Sequence, residues 1–360
     1  MGLSHVLQRI SYCSLLNPAR FRSSSCAFGK LFENATTYGK VQSSWRMYHN
    51  MVREKMEMVK HILDLNGEEK MNFMNSFDIV MTDCDGVIWF GLGEVPGVGA
   101  ALNALEECGK RVVYVSNNST RPTKDYKKKI EKLGAKFQEE NLVHPMVAII
   151  DYLNKINFKG LIYSFATECA NNRLREAGYE VLDGPVGKVE ENHEKILKSV
   201  NDGAPVRLVI AESDLNFNLA KFWRADIYLK HPECDLIVGA NDRRIPVTQD
   251  FDIPGQAPII NCLVGSLPAG KRPIILGKPG VDLGEILMSR YNIKDGKRVL
   301  FVGDLICTDI KFASNVGFQS LLVLSGGITR ERMLANKDTT AIPNYYADSI
   351  SDFTTLIRSL

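Results

Sequence analysis

Short, uninterrupted apolar runs alternate with helical patterns along most of the chain, and this alternation limits what the chain can fold into. Successive apolar positions are typical of strands that are buried on both faces of a parallel sheet. Amphipathic helices are predicted between the runs, for example from Val98 to Leu105 and from Lys124 to Leu133. The runs expected in the main sheet are Phe77–Met81, Arg111–Val115, Ile274–Leu276, Val299–Val302 and Leu321–Leu324. The sequence therefore predicts an α/β protein whose parallel sheet is covered by helices on both faces.

The stretch between the second and third of these runs is too long to be a loop. It contains further strand-like runs at Leu161–Tyr163, Val206–Ile210 and Leu236–Val238, with helical patterns at 171–177 and 219–228. We therefore expect a second α/β domain that is inserted into the first. The predicted organisation is a leader at 1–50, the main domain at 51–157 and 266–360, and the inserted domain at 158–265.

Composition and charge exclude several classes of protein. The 360 residues are enough for about two domains. The 44 Lys and Arg nearly balance the 42 Asp and Glu, which indicates neither nucleic acid nor an anionic membrane as a partner. No apolar run reaches the ~18 residues that a membrane-spanning helix needs. The eight cysteines form no C-x-x-C pair, so we expect free thiols, a reducing compartment and no zinc site.

The first 50 residues differ from the rest in composition. Four basic residues precede the first acidic residue, Glu33, and serines are frequent among them. The apolar residues at helical spacing are Leu3, Val6, Leu7 and Ile10. An amphipathic, Arg-rich and acid-poor leader resembles a mitochondrial transit peptide. The alternative is a leader without a targeting role, so the predicted location is either mitochondrial or cytoplasmic.

Polar motifs directly follow four of the expected strands. They are Asp83-Cys84-Asp85-Gly86-Val87, Ser116-Asn117-Asn118-Ser119, Gly277-Lys278-Pro279, and Gly303-Asp304 followed by Thr308-Asp309. Because the carboxyl ends of parallel strands meet at one edge of a sheet, we expect the four motifs to line one crevice. Each motif alone is weak evidence for a functional site. Four such motifs in this order, each after a predicted strand, are strong evidence for one.

The residue types in these motifs suit phosphoryl transfer. A carboxylate such as Asp83 can attack phosphorus and form an acyl phosphate. An acid two residues further on, Asp85, can protonate the leaving group and then activate water. Several acids in one pocket repel each other, so a hard cation such as Mg²⁺ is expected among them. Lys278 and the Ser116 hydroxyl can hold phosphate oxygens.

The motifs resemble those of the haloacid dehalogenase-like (HAD) hydrolases. The stretch Asp83-Cys84-Asp85-Gly86-Val87-Ile88-Trp89 is similar to the first motif of that superfamily. With the second and third motifs, the chain is closest to the branch of 4-nitrophenylphosphatases, phosphoglycolate phosphatases and pyridoxal phosphatases. The resemblance covers roughly residues 60 to 358. It implies a Rossmann-like core, an inserted C2 cap domain, Mg²⁺ dependence, small phosphate monoesters as substrates and a homodimer formed through the caps.

The resemblance also implies a role for each motif residue. Asp83 matches the nucleophile, and Asp85 matches the general acid and base. The positions that match the Mg²⁺ ligands are Asp83, Asp304 and the backbone carbonyl of Asp85. The residues that match the phosphate-binding positions are Ser116, Asn117, Asn118 and Lys278. Asp309 matches an acid that holds a metal-bound water and is not itself a metal ligand.

The chain departs from the family pattern at several positions. In the fourth motif, Leu305 and Cys307 stand where the family has a basic and an acidic residue. In the cap, Ala240-Asn241-Asp242-Arg243 replaces Thr-Asn-x-Asp, and Glu212 replaces an early glycine. The catalytic residues are therefore expected to be retained, while the substrate-selecting loop is rewritten.

These departures leave more than one function open. The first hypothesis is an active Mg²⁺-dependent phosphatase that acts on small phosphorylated metabolites. The second is a catalytically weak relative that serves as a phosphometabolite-binding or scaffold protein. A mutase would need a second phosphate site, which the sequence does not indicate. Next to the motifs, Cys84 and Cys307 are expected to be small buried apolar residues, and Trp89 is expected either in the core or at the substrate entrance.

Overall fold

In the computed structural model, the chain is described over residues 52–91, 93–187, 190–246 and 251–360. The residues from Lys55 to Leu360 form one compact unit, which contains every element discussed below. The predicted transit peptide lies outside the described residues. Among the described residues, no helix is both long and apolar enough to span a bilayer.

The elements follow one another in alternating order along this unit. The strands are β1 (Lys60–His61), β2 (Ile79–Thr82), β3 (Trp89–Phe90), β4 (Gly93–Glu94), β5 (Arg111–Val115), β6 (Leu142–Val143), β7 (Leu161–Phe165), β8 (Val181–Asp183), β9 (Val206–Ala211), β10 (Asp235–Val238), β11 (Arg244–Pro246), β12 (Asp252–Pro254), β13 (Ile274–Ile275), β14 (Val299–Gly303), β15 (Gln319–Val323) and β16 (Tyr345–Ala347). The α-helices are α1 (Gly67–Asn75), α2 (Val98–Glu107), α3 (Thr123–Lys132), α4 (Pro145–Lys155), α5 (Glu168–Glu176), α6 (His193–Val200), α7 (Leu219–Leu229), α8 (Ala257–Gly265), α9 (Val281–Arg290), α10 (Lys311–Val316), α11 (Arg330–Leu334) and α12 (Asp352–Arg358).

The main sheet has seven parallel strands in the described part of the chain, in the order β1-β16-β15-β14-β2-β5-β6. Successive residues of a strand point to opposite faces, so Val80 and Val302 pack in one apolar cluster while Met81 and Phe301 pack in another. Helices cover both clusters. This confirms the predicted α/β core with a parallel sheet.

The register of the main sheet determines which residues share its carboxyl edge. Thr82, the last residue of β2, is paired with Val302 on one side and with Tyr114 on the other. The residues that follow these three strands are therefore neighbours in space. This pairing brings the first, second and fourth sequence motifs together.

A second sheet of five parallel strands, in the order β13-β10-β9-β7-β8, lies between the two halves of the main domain in sequence. We call it, with its helices, the cap. The expectation that Ile274–Leu276 belongs to the main sheet is wrong, because Ile274 and Ile275 are paired with Ile237 and Val238 of the cap. An apolar run predicts a strand, but it does not determine which sheet the strand joins.

Candidate active site

Asp83 is the first residue after β2 and lies at the carboxyl edge of the main sheet. Its backbone amide donates to the Val302 carbonyl at 2.8 Å, which continues the pairing of β2 with β14. Its Oδ1 accepts from the backbone amide of Cys84 at 2.7 Å and lies 2.9 Å from Nζ of Lys278. The side chain is buried. The carboxylate is therefore fixed by two donors before any substrate arrives.

Lys278 connects two of the motif carboxylates. Its ammonium lies 2.9 Å from Asp83 and 2.8 Å from Oδ1 of Asp309, and only 1% of the side chain is exposed. Burial alone would lower the pKa of Lys278, but the Asp309 and Asp83 carboxylates raise it above the usual value for lysine. Lys278 follows β13 of the cap sheet. It therefore lies in the segment in which the chain returns from the cap to the main domain.

Asp304 follows β14 and is also buried, at 1% exposure. Both of its carboxylate oxygens are buried without a hydrogen-bond partner in the described part of the chain. Glycines surround them: an added Cβ at Gly86 or Gly326 would lie 2.2 or 2.0 Å from Asp304 Oδ2. An unpartnered buried carboxylate is costly, so these oxygens require a ligand that the protein itself does not supply.

Asp309 lies in a π-helical turn, Ile306–Ile310, which directly precedes α10. Its Oδ2 accepts from the backbone amide of Leu305 at 3.0 Å, and its Oδ1 accepts from Lys278. The sequence predicts Asp309 outside the metal ligands. In the structure its carboxylate belongs to the same cluster as Asp83 and Asp304, since their ligand atoms all lie within 4.8 Å of one another.

The electrostatics of this cluster fit a divalent cation. Among the described residues, the cluster has three buried carboxylates, and the Lys278 ammonium contacts two of them, Asp83 and Asp309. Burial raises the pKa of Asp83 to about 8, although Lys278 opposes the shift and Asp309 adds to it. Burial likewise raises the pKa of Asp304, and the neighbouring Asp309 and Asp83 charges add to this. A hard cation with oxygen ligands would neutralise this excess of negative charge and occupy the unpartnered Asp304 oxygens.

The second motif forms a small loop after β5. The Ser116 hydroxyl accepts from the Asn118 backbone amide at 3.1 Å and is within 3.1 Å of the Tyr126 hydroxyl. The Asn118 side-chain oxygen accepts from the backbone amide and hydroxyl of Thr120, at 3.0 and 2.7 Å. These bonds order the loop beside Asp83. The contribution of Tyr126, which lies on α3, was not predicted because it is ten residues away in sequence.

Asn117 has a different role from the phosphate contact that the sequence predicts. Its Nδ2 donates to both carboxylate oxygens of Asp242 on the cap, at 3.1 and 3.2 Å, and to the Lys278 carbonyl at 3.1 Å. Its Oδ1 accepts from the Lys278 amide at 2.8 Å. The side chain therefore joins the main domain, the cap and the lysine of the third motif. Asp242 is a contact residue that sequence patterns did not reveal.

Asp85 is not part of the carboxylate cluster of Asp83, Asp304 and Asp309. Its Oδ1 accepts from Nε1 of Trp89 at 2.8 Å and lies 3.5 Å from Nη2 of Arg121. The Arg121 guanidinium lies over the rings of Trp89 and Tyr126, at 5.0 and 5.1 Å from their centroids. Trp89 is buried at 1% exposure. It is thus a core residue that also orients the predicted general acid.

The two cysteines beside the site differ in exposure. Cys84 is buried, as expected, and burial raises the pKa of its thiol. Cys307 is exposed, so its expected burial is wrong. The reason is the π-helical turn, which directs Asp309 inward and leaves Cys307, two residues earlier, at the surface. The cysteines that the structure describes are free thiols.

Comparisons with known proteins show the family to which the chain belongs. Residues 80–180 match the family described as haloacid dehalogenase-like hydrolase, and residues 275–353 match a second HAD-hydrolase-like family. Phosphoglycolate phosphatase 1A of Arabidopsis thaliana is 32% identical over 289 residues, which cover 79% of both chains. The 4-nitrophenylphosphatase of Schizosaccharomyces pombe is 29% identical over 292 residues, 79% of this chain and 95% of the relative. 

A solved structure has the same fold. The p-nitrophenyl phosphatase from Archaeoglobus fulgidus superposes with a TM-score of 0.65 at 24% identity, over 79% of this chain and all of that one. The chain belongs to the haloacid dehalogenase-like hydrolases. Within that superfamily, it belongs to the branch in which these phosphatases are found.

Proposed function

We propose that this protein is a Mg²⁺-dependent phosphatase that hydrolyses small phosphate monoesters through an aspartyl-phosphate on Asp83. The observation that carries the proposal is the Asp83 carboxylate, which is fixed at the edge of the main sheet between Lys278 and the unpartnered carboxylate of Asp304. The relatives are named for the hydrolysis of phosphoglycolate and 4-nitrophenyl phosphate, which supports substrates of this size.

Asp83 and Asp304, with the backbone carbonyl of Asp85, would hold the Mg²⁺ ion, and Asp309 is close enough to contribute. A bound Mg²⁺ ion supplies positive charge that brings the nucleophile and the phosphate together and stabilises charge in the transition state. Lys278 keeps the Asp83 carboxylate oriented and adds a second positive charge. The Ser116 hydroxyl, which follows β5 at the same edge of the sheet, would bind a further phosphate oxygen.

In the first step, a carboxylate oxygen of Asp83 forms a bond to phosphorus while the bond from phosphorus to the ester oxygen breaks. Asp85 donates its proton to the leaving oxygen, so the alcohol departs neutral. Trp89 and Arg121 hold the Asp85 carboxylate, and the Asp85 side chain remains partly exposed. Hydrolysis of a phosphate ester is helped by an acid at this position, because the leaving oxygen takes up a proton. A reaction whose leaving group needs no proton does not require this acid.

In the second step, a water molecule attacks the phosphorus of the aspartyl-phosphate. Asp85, now ionised, removes the proton of that water, and the bond from phosphorus to Asp83 breaks. Inorganic phosphate is released, and both aspartates return to their starting protonation states. The net reaction consumes one water molecule for each ester.

The test is Mg²⁺-dependent phosphate release by the full-length protein and its Asp83→Asn variant. The substrates are 4-nitrophenyl phosphate, phosphoglycolate and pyridoxal phosphate. Asp78→Asn is the matched control, because Asp78 lies just before the same strand but pairs with Arg298 at the surface. Release that is lost in Asp83→Asn and with a chelator, and kept in Asp78→Asn, supports the proposal. Binding of Mg²⁺ and phosphate without turnover of any substrate overturns it and favours the binding-protein hypothesis.

We also propose that the protein forms a homodimer through its caps. The support is a set of exposed large apolar residues on the cap: Leu215, Leu219, Trp223, Ile245, Phe251 and Ile253. Ile245 and Ile253 are cross-strand partners, and Leu219 and Trp223 lie one turn apart on α7. Neighbouring exposed apolar residues of this kind are typical of an interaction surface. Light scattering of the wild type and of Trp223→Glu tests this, and a wild type that is monomeric at micromolar concentration contradicts it.

The compartment stays a prediction from the leader. Mitochondrial import is expected if residues 1–50 act as a transit peptide, and a cytoplasmic location if they do not. Imaging of a fluorescent fusion with and without these residues distinguishes the two.

A further inference from the structure

Glu212 is a buried acid of the cap that the mechanism does not use. It directly follows β9 and is 1% exposed. Its Oε1 accepts from the backbone amide of Ser213 at 3.1 Å, and its two oxygens lie 3.2 and 3.0 Å from the backbone amide of Ala240. The carboxylate thus connects the end of β9 to the segment that follows β10.

This segment, Gly239–Asp242, is packed closely on two sides. A Cβ added at Gly239 would lie 1.6 Å from Oε2 of Glu212 and 3.1 Å from Cβ of Pro145 in the main domain. A Cβ added at Gly277 would lie 2.2 Å from the Gly239 carbonyl oxygen. The segment therefore fits between the Glu212 carboxylate and the backbone that leads directly to Lys278.

The far end of the segment reaches the candidate active site. Asp242 accepts two hydrogen bonds from Asn117, and Asn117 is bonded to the backbone of Lys278. Burial raises the pKa of Asp242, and the charges of Asp309 and Asp85 are close enough to add to that shift. A phosphate held by Lys278 would have Asp83 on one side, so the leaving group departs on the other side, toward the cap.

The groups around Glu212 do not include a compensating cation among the described contacts. It is held by the amides of Ser213 and Ala240, with the Ser119 hydroxyl of the main domain and the Asp242 carboxylate nearby. Burial raises the pKa of Glu212 to about 7, despite the lowering effect of these hydrogen bonds. A buried acid without an ion pair destabilises a fold. An apolar residue at position 212 would therefore give a more stable cap.

We propose that Glu212 is a positioning residue that determines specificity, because its carboxylate fixes the Gly239–Asp242 segment where the leaving group of the substrate must lie. The inference rests on the proposed phosphatase function. Under the proposed function, phosphate itself is bound by Lys278 and Ser116, and neither is among the hydrogen-bond partners of Glu212 in the described part of the chain. Glu212 therefore affects the fit of the ester group and leaves the fit of inorganic phosphate unchanged.

The test compares Glu212→Gly and Glu212→Gln in the full-length protein. Removal of the bonds to Ala240 in Glu212→Gly should raise the KM for 4-nitrophenyl phosphate about tenfold, since each net hydrogen bond contributes on the order of a few-fold. The Ki of inorganic phosphate, which has no leaving group, should change less than about twofold. Glu212→Gln keeps an acceptor oxygen and should restore the KM to within about threefold of wild type.

A cap variant that leaves the segment alone provides the control. Tyr228→Phe removes a hydrogen bond to Asp202 within the cap, 2.6 Å long, and should change neither constant. Equal changes in KM and Ki in Glu212→Gly, or no change in either, overturn the proposal. So does a Glu212→Gln variant that behaves like Glu212→Gly.

Hydrogen exchange supplies a readout that does not depend on turnover. Peptides that contain Ala240 should exchange faster in Glu212→Gly than in wild type, and Glu212→Gln should resemble wild type. Unchanged exchange in Glu212→Gly overturns the claim that Glu212 fixes the segment. A wild type without phosphatase activity overturns the proposed function and the specificity role together, whereas an active wild type with unchanged exchange overturns only the inference about Glu212.

Discussion

Replacing Lys278 with methionine tests whether the buried charge cluster is balanced by this one side chain. The change keeps a long unbranched stem but removes the ammonium that contacts Asp83 at 2.9 Å and Asp309 at 2.8 Å. Both carboxylates are buried, and Asp304 lies in the same cluster. Without the cation, three carboxyl groups would face one another in a site that water reaches poorly.

The expected loss of stability is large. Removing one partner of a buried ion pair costs about 3–5 kcal/mol, because the other charge stays buried without compensation. Lys278 serves two carboxylates, which places the expected loss in the upper part of that range. At about 2 °C of Tm for each kcal/mol in a protein of this size, the variant should melt roughly 8–10 °C lower.

Thermal unfolding at neutral pH in the presence of a chelator measures this loss. Lys110→Met is the matched control, because the Lys110 ammonium donates to the Phe77 carbonyl at 2.9 Å and is not among the contacts of Asp83, Asp304 or Asp309 with other described residues. Adding Asp309→Asn to Lys278→Met should recover at least about 1 kcal/mol, since it removes one of the repelling charges. If Lys278→Met melts within 2 °C of the wild type, the reasoning about a charge-balancing lysine is refuted.

Three further changes have distinct expected outcomes. Gly86→Ala should weaken Mg²⁺ binding at least tenfold by calorimetry, because the new Cβ would lie 2.2 Å from Asp304 Oδ2 at a φ of +90°. Trp89→Phe removes the 2.8 Å bond to Asp85, so kcat should fall several-fold for alkyl phosphates and little for 4-nitrophenyl phosphate, whose leaving group needs no proton. Burial, with nearby Arg173, lowers the pKa of His144 to about 3. In urea titrations the wild type should therefore lose roughly 2 kcal/mol of stability relative to His144→Gln between about pH 8 and about pH 5, because only the unfolded state takes up a proton on this imidazole.

Each of these changes has its own control or contrary result. Gly109→Ala places the same strain at a φ of +76°, but with no atom within 4 Å of the added Cβ, so it should leave Mg²⁺ binding unchanged. For Trp89→Phe, equal losses on both kinds of ester would mean that the tryptophan does not act through Asp85. For His144→Gln, a pH dependence as steep as that of the wild type would contradict a buried neutral imidazole.

The main strands and the motif positions could be predicted from sequence alone. Arg111–Val115 is a strand over the predicted residues, and Asp83 and Asp304 follow strands β2 and β14 as expected. These features are local, because a continuous apolar run and the polar residue that ends it are adjacent in the chain. The parallel arrangement then follows from the alternation with helices.

The edges of the main sheet could not be predicted in this way. The strand β1 is only two residues long, and it is formed by pairing with β16, almost three hundred residues later in the chain. A two-residue strand has no periodicity of its own, so its conformation depends on the partner. The same holds for β13, whose apolar residues would suit either sheet.

The class of chemistry can be inferred from the sequence, because Asp83, Ser116, Lys278 and Asp304 stand in this order at strand ends. The contacts among these groups depend on the tertiary structure. They are the two contacts of Lys278, the unpartnered Asp304 oxygens and the bond between Asn117 and Asp242. Strand ends are set by local patterns, whereas a contact depends on the register and packing of distant segments. The charge balance and the position of the cap are therefore properties of the folded chain.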